Sequence, residues 1–543
     1  MSSEGSAAVR VDHALETALD QWRELLDAEN VVLDPSDLRA AETATFGTSV
    51  TVPAIVRPGN REQVQQVLRI ANQWRIPVYP VSGGSNWGYG SRVPSADGSV
   101  LLDLARMNRI LDFSEDLAYI TVEPGVTQQQ VYDFLQERKS GLWMDATGAS
   151  PQASLVGNAV ERGFGHTPYG DHFSHVCGME VVLPDGEVLE TGVSRFAGSR
   201  TGPLHRWGVG AYLDGLFTQS NLGVVTRMSI WLMPAPEYFQ AYFFSCDSED
   251  ALGPVVEALR PLRLNGTLRS TVHIANDYKV LSGMQQYPWD EAGGRTPLPA
   301  EVMKRLRKQR HFGAWNASGG LYGTRAQVAE ARRLLRRALA GKVNKLEFLD
   351  AGKLRMAGRF SGLYKLLTGW DLSRALELVR PLFGLLQGVP TDQPLASTYW
   401  RKRFPPPAVM DPNQDGCGLL WCSPVAPADG AQAEELVALA GEIMLRHGFE
   451  PAISLTMITE RSLACVISIT YDRHVPGEDE RAAACHEELL RRLNDAGFYC
   501  YRMTSQSSAG LRPSPGYDQV LRSLKRSLDP HQILAPGRYL PAE

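Results

Sequence analysis

Little in this chain points to a membrane, a metal or a nucleic acid. No window approaches the roughly 18 apolar residues that a membrane-spanning helix needs, and Met1 to Arg10 lack a basic region leading into an apolar one. These absences predict a cytoplasmic protein with no membrane partner. Cysteine is sparse: seven residues, at 177, 246, 417, 422, 465, 485 and 500, odd in number and without a Cys-x-x-Cys pair. That argues against a disulfide framework or a zinc site and leaves most of them as small buried apolar residues. The histidines, from His13 to His531, show no His-Glu-x-x-His or comparable spacing, so no metal is expected. A basic excess is missing too. Lys and Arg number 55 against 60 Asp and Glu, a net charge of −5, which gives no footprint for nucleic acid.

What remains is a chain of 543 residues, 43% hydrophobic and 21% charged. Such a chain is globular and too long for one ordinary core, so two large domains, or one split by an insertion, are expected. Its most informative tract is Val81-Ser82-Gly83-Gly84-Ser85-Asn86-Trp87-Gly88-Tyr89-Gly90, which follows the extended run Ile76 to Pro80. Glycines permit positive φ and let main-chain N–H groups approach an anion closely, so the tract reads as a diphosphate cradle of a flavin enzyme. Its spacing matches neither the Rossmann nor the P-loop fingerprint. By itself it also fits a hairpin or a bulge.

Along the chain, Val11 to Glu29 has helical periodicity, and Val52–Val56 before Arg57-Pro58-Gly59-Asn60 reads as a strand ending in a turn. Arg61 to Arg75 reads as an amphipathic helix with Val64, Val67, Leu68, Ile70 and Ala71 near one face. Short strands follow at Val100–Leu104, Ile110–Phe113 and Tyr119–Val122, then Thr127 as N-cap of a helix through Glu137. Pro184-Asp185-Gly186 between Gly178–Leu183 and Glu187–Thr191 signals a hairpin. From about Glu237 the texture changes, with charged helices at Arg325–Leu339 and Leu372–Leu386 and an apolar strand at Gly418–Pro424. The turn-rich end, from Leu521–Lys525 through Asp529 to Arg538, returns to the style of the first part.

Three further segments accompany the glycine tract: Gly157-Asn158-Ala159-Val160-Glu161-Arg162-Gly163, Thr167-Pro168-Tyr169-Gly170-Asp171-His172, and Gln219-Ser220-Asn221-Leu222-Gly223-Val224-Val225-Thr226. With the strand Gly178–Leu183 and the terminal Asp529-Pro530 and Ala535-Pro536-Gly537, the chain from about residue 50 onward resembles the vanillyl-alcohol oxidase and p-cresol methylhydroxylase branch of the FAD-linked oxidases. The resemblance implies a two-domain α+β fold. Residues 1–236 and 499–543 would form the FAD-binding domain, and 237–498 a cap over the isoalloxazine ring. It implies FAD contacts from Ser82, Gly83, Gly84, Ser85, Asn86 and Gly88, from Gly157 and Asn158, and from the segments carrying Asp171, His172 and Val224. Arg538 would sit by the N1–C2=O edge, where a positive charge favours the anionic reduced flavin. Relatives of this kind commonly form dimers or larger assemblies, and oxygen is the expected electron acceptor.

At the substrate end, relatives that oxidise para-substituted phenols hold the phenolate with two tyrosines and an arginine. The matching positions here are Tyr89, Tyr501 and Arg502. An Arg fork and two phenol O–H donors converging on one oxygen lower a phenol's pKa. The phenolate then expels hydride from its para-benzylic carbon to flavin N5, leaving a p-quinone methide. The departures bear on its fate. Where alcohol oxidases carry a second aspartate after Leu-Trp-x-Asp, Leu142-Trp143-Met144-Asp145-Ala146-Thr147-Gly148 places Gly148, which puts hydration in doubt. The strand that supplies a flavin-linking histidine in vanillyl-alcohol oxidase here reads Arg461 to Asp472, with Cys465 or Ala464 at the linking place, and the histidine of other branches' Gly-rich loop is Ser85. Cys465 is thus a candidate thioether link to the flavin, with a buried inert thiol as the alternative, and His172 is expected as a structural donor. Tyr399-Trp400-Arg401-Lys402-Arg403-Phe404 reads as a solvated charge run. Pointed inward, Arg401 or Arg403 would meet a substrate carboxylate. The expected reaction is para-benzylic oxidation of a phenol, the alternatives being oxidative decarboxylation or desaturation of a larger tyrosine-derived phenol, or a flavin-fold protein that only binds.

Overall fold

A computed structural model describes residues 4–356, 359, 372–507 and 510–540. Local signals set many of its elements. Asn60 accepts from the Gln63 amide at 2.9 Å and starts the helix Arg61–Trp74, whose Val64, Val67, Leu68 and Ala71 are buried. Thr127 caps Gln128–Glu137 through the Gln130 amide at 3.2 Å. Gly186, at φ 83°, turns strand Val176–Val182 back onto Val188–Glu190. The expected strand Val52–Val56 shortens to Ile55–Val56. Pro53 has no N–H to give a ladder, and the Val52 amide goes to Glu42 Oε1 at 2.8 Å.

Among the described residues these elements build a four-stranded sheet, ordered Val31–Val32, Ile55–Val56, Val100–Asp103, Val78–Val81, and a five-stranded antiparallel one, ordered Ile110–Ser114, Tyr119–Val122, Val224–Trp231, Val176–Val182, Val188–Glu190. The Gly-rich tract leaves the end of Val78–Val81. The chain's end rejoins this part. Val78 bridges Leu534, its amide donating to Ile533 O at 2.7 Å, and Ile533 and Leu534 enter the core with Val64, Leu68 and Val100.

A larger sheet follows, ordered Lys345–Leu349, Tyr238–Cys246, Trp315–Gly323, Val272–Asn276, Ala452–Met457, Ser462–Asp472, Cys417–Cys422, with Val425–Pro427 paired to Ser462–Asp472. Helices Leu252–Leu264, Arg325–Leu339, Gly430–Arg446 and Glu478–Asp495 supply apolar residues to the core against one of its faces. Its other face turns to a cavity. Strand alternation makes the division: in Ser462–Asp472, Cys465, Ile467 and Ile469 enter the helix-side core while Val466 lines the cavity. The architecture is α+β. Among the described residues no helix is long and apolar enough to cross a membrane.

Candidate functional site

The cavity, of about 690 Å3, runs from the Gly-rich tract to the large sheet. Ser82 to Asn86 form one wall, with Gly157, Asn158, Val224 and Arg538 beside them. Close backbone approach is built in, since a Cβ on Gly157 would collide with Ser82 Oγ, and Gly84 sits at φ 70°. Tyr501 and Arg502 line the same cavity. Contacts tie their segment to the tract: Arg502 donates to Asn86 Oδ1 at 2.6 Å, the Ser505 amide donates to Tyr89 O at 2.8 Å, and the Arg502 guanidinium stacks 4.4 Å above the Tyr89 ring. Tyr89, 1% exposed, stands behind this wall rather than lining it, with its hydroxyl 2.6 Å from Ser423 Oγ. Burial raises the phenol pKa of Tyr89 well above its usual value and that of Tyr501 above its own, so both remain donors.

Glu161 was quoted in the sequence only as part of a motif, yet it organises the charges here. Its carboxylate lies 3.1 Å from Arg538 and 3.5 Å from Arg502 and accepts from Tyr539 Oη at 2.5 Å. Burial works against its charge, but Arg538 and Arg502 hold its pKa below the usual range. Two guanidiniums against one carboxylate leave a net positive end to the cavity. Elsewhere on the cavity wall His166 and His273 stack with centroids 4.4 Å apart, and burial lowers both pKa values, keeping the rings neutral.

Lys279 was not singled out from sequence. Helix Asp277–Met284, capped by Asn276, turns Lys279, Val280, Gly283 and Met284 toward the cavity, an i, i+1, i+4, i+5 face. The ammonium donates to Ser468 Oγ at 3.0 Å, and burial alone pushes its pKa down to about 8.

Several expected site residues lie elsewhere. Gly88 packs on the large sheet, its amide donating to Thr45 Oγ1 at 3.0 Å, and a side chain there would press on Trp421 and Leu419. Asp171 caps a turn through the Ser174 amide at 3.4 Å. His172 bridges Asp145 Oδ2 at 2.6 Å and Asn158 Oδ1 at 2.5 Å, a structural link behind the wall. Asp145 also accepts from the Thr167 amide at 2.6 Å, while Gly148 does line the cavity, with Pro394 3.2 Å from where its Cβ would lie. Cys465 is corrected as a flavin link: it is fully buried in the helix-side core, and burial raises its thiol pKa, disfavouring the nucleophilic thiolate. Acid precipitation of Cys465→Ala should therefore leave the same fraction of flavin with the protein as in wild type; loss of retained flavin would restore the thioether. The Arg401 run is corrected as well. Arg401, 2% exposed, reaches Glu450 at 3.4 Å, and the fully buried Lys402 reaches Asp472 at 2.6 Å, so these cations are internal ion pairs and neither lines the cavity.

The profile of the FAD binding domain matches residues 52–192. The chain is 34% identical to the 4-cresol dehydrogenase [hydroxylating] flavoprotein subunit of Pseudomonas putida, across 96% of this chain and 94% of that one. It belongs to the vanillyl-alcohol oxidase and p-cresol methylhydroxylase family of FAD-linked oxidases. Within the family, 1'-carboxy-chondrochloren decarboxylase of Chondromyces crocatus is 45% identical, over 97% of each chain. The crystal structure of p-cresol methylhydroxylase with substrate bound superposes with a TM-score of 0.87 at 32% identity, covering 98% of this chain and 97% of that one. As a family member the protein is an FAD-dependent enzyme with the two-domain α+β fold. The cavity suits the cofactor: beyond the close-approach trench at Gly157, the buried Trp87 Nε1 has no hydrogen-bond partner among the described residues and stands free for a ligand oxygen.

Proposed function

We propose that this flavoenzyme removes hydride from the para-benzylic carbon of a phenol and that a carboxyl on the neighbouring carbon then leaves as CO2. The observation that carries the first part is the donor set at the positive end of the cavity: Tyr501 and Arg502 on its wall, Tyr89 buttressing them, and Glu161 offsetting one of the two guanidiniums. FAD, held by Ser82–Asn86, Gly157, Asn158, Val224 and Arg538, supplies the hydride acceptor. The cap is assigned to residues 237–498, and 1–236 with 499–543 to cofactor binding.

The residues' part is electrostatic. Arg502 and the Tyr501 hydroxyl donate to the substrate oxygen in a water-poor pocket, where such bonds are worth more than in water. They favour the phenolate, whose electron pair moves into the ring as the benzylic C–H bond breaks with its pair, giving a p-quinone methide. If the next carbon bears a carboxylate, the C–COO− pair closes a C=C bond, the ring regains its phenolate and CO2 departs. Gly148, in place of an acid, offers no general base to activate water against the quinone methide. The 45% identity to a decarboxylase supports the same fate.

Anaerobic bleaching of the flavin band tests the reading. Para-alkylphenols should bleach it and their O-methyl ethers should not, and 3-(4-hydroxyphenyl)propanoate should yield 4-vinylphenol and CO2. Equal bleaching by ethers would end the phenolate mechanism; a hydroxylated acid as product would end the decarboxylation.

A further inference from the structure

We infer that Lys279, on the cavity face of helix Asp277–Met284, is the subsite for a carboxylate carried by the substrate, separate from the place that holds the phenolate. The inference rests on the phenolic reading above and assigns a cation to the other end of the same molecule.

Three observations and one physical argument support it. The ammonium lines the cavity and donates only to Ser468 Oγ, at 3.0 Å; no carboxylate pairs with it among the described residues. Its surroundings are otherwise apolar or neutral, with Val280, Met284, Ala275 and Val466 on the cavity wall nearby in the fold. A buried cation without a counter-ion is costly, and it is tolerated where a ligand supplies the missing charge. The cations first suspected of meeting a carboxylate, Arg401 and Arg403, do not line the cavity, and Arg401 is already matched by Glu450.

The path between the two subsites can be followed along the wall. Arg502 stacks on Tyr89 at 4.4 Å, and Tyr89 meets the Trp421 ring edge-on at 5.3 Å. Trp421 lies directly across the sheet from Ser468, which receives the Lys279 hydrogen bond. Two ring contacts, one strand-to-strand step and one hydrogen bond thus separate the guanidinium from the ammonium. A phenol whose para side chain ends in a carboxylate would engage each with a different charge, which orients the benzylic carbon between them. A neutral para-alkylphenol leaves Lys279 unmatched.

The test uses an unreactive pair. 4-Hydroxycinnamate and its amide have no sp3 benzylic hydrogen to give, so their dissociation constants can be read from the flavin difference spectrum of the oxidised holoenzyme. Wild type should prefer the acid over the amide by about tenfold or more, the scale of one charge-assisted contact. Lys279→Met should bring the preference to within about twofold, and Lys279→Arg should keep most of it. A preference that survives in Lys279→Met, or none in wild type, overturns the assignment. Anaerobic bleaching by 4-ethylphenol, run in parallel, reports on the phenolic reading alone, so failure of either is visible without the other.

Discussion

Arg502→Ala should slow anaerobic flavin reduction by a para-alkylphenol about 10^3-fold, and Tyr501→Phe about 10^2-fold, the range seen when one preorganised donor to a developing oxyanion is lost. The larger figure belongs to the arginine because it supplies charge as well as a hydrogen bond. Arg502 lies over the Tyr89 ring and bonds Asn86, so its loss also frees the two groups that set its angle. Lysine should rescue poorly: it brings the charge but not the fork that reaches Asn86 and the substrate together. The double variant should fall short of the product of the two losses, because both donors serve one oxygen. The cofactor site should persist in Arg502→Ala, since Arg538 still pairs Glu161 at 3.1 Å. Stopped-flow reduction rates at saturating phenol, with flavin content measured alongside, decide the matter. A rate within threefold of wild type in a fully loaded Arg502→Ala protein would remove Arg502 from the chemistry.

What sequence made legible follows the range of the interactions involved. Helix Arg61–Trp74, the Thr127 cap and the Pro184-Asp185-Gly186 turn depend on neighbours a few residues away and were readable from periodicity and turn chemistry. Tyr501 and Arg502 were reached through a resemblance, because their partners Ser423, Asn86 and Glu161 are far away in the chain. Cys465 shows what one residue of strand parity decides: its neighbour Val466 lines the cavity while Cys465 joins the core on the other face. Arg401 and Lys402 looked like a solvated run because Glu450 and Asp472, which let them be buried, lie 49 and 70 residues onward. Lys279 is the same case with the sign reversed. A lysine on a short helix reads as exposed until the sheet beneath turns its face to a cavity.

Glu161→Gln should cost about 3 kcal/mol of stability, because it leaves Arg502 and Arg538 facing each other across a site where burial removes much of the water that would screen them. Glutamine keeps the shape and one acceptor, so the loss reports charge rather than packing. The pH dependence carries the sign. Glu161's pKa is held below its usual value in the folded protein, so its contribution is fully present above the unfolded carboxyl's value of about 4.3 and is lost as pH falls through the lower folded value. The gap in thermal midpoint between wild type and Glu161→Gln, measured with FAD in excess, should therefore be constant near neutrality and narrow below about pH 4. A gap that stays constant down to pH 3 would mean the carboxylate's charge is not what the fold uses. The same substitution frees both guanidiniums toward the cavity, so 4-hydroxycinnamate, whose phenol is held there, should bind the variant more tightly even as the fold weakens. A simple folding defect would weaken both, whereas opposite movements place Glu161 as the counter-charge that sets how strongly the site pulls on a phenolate.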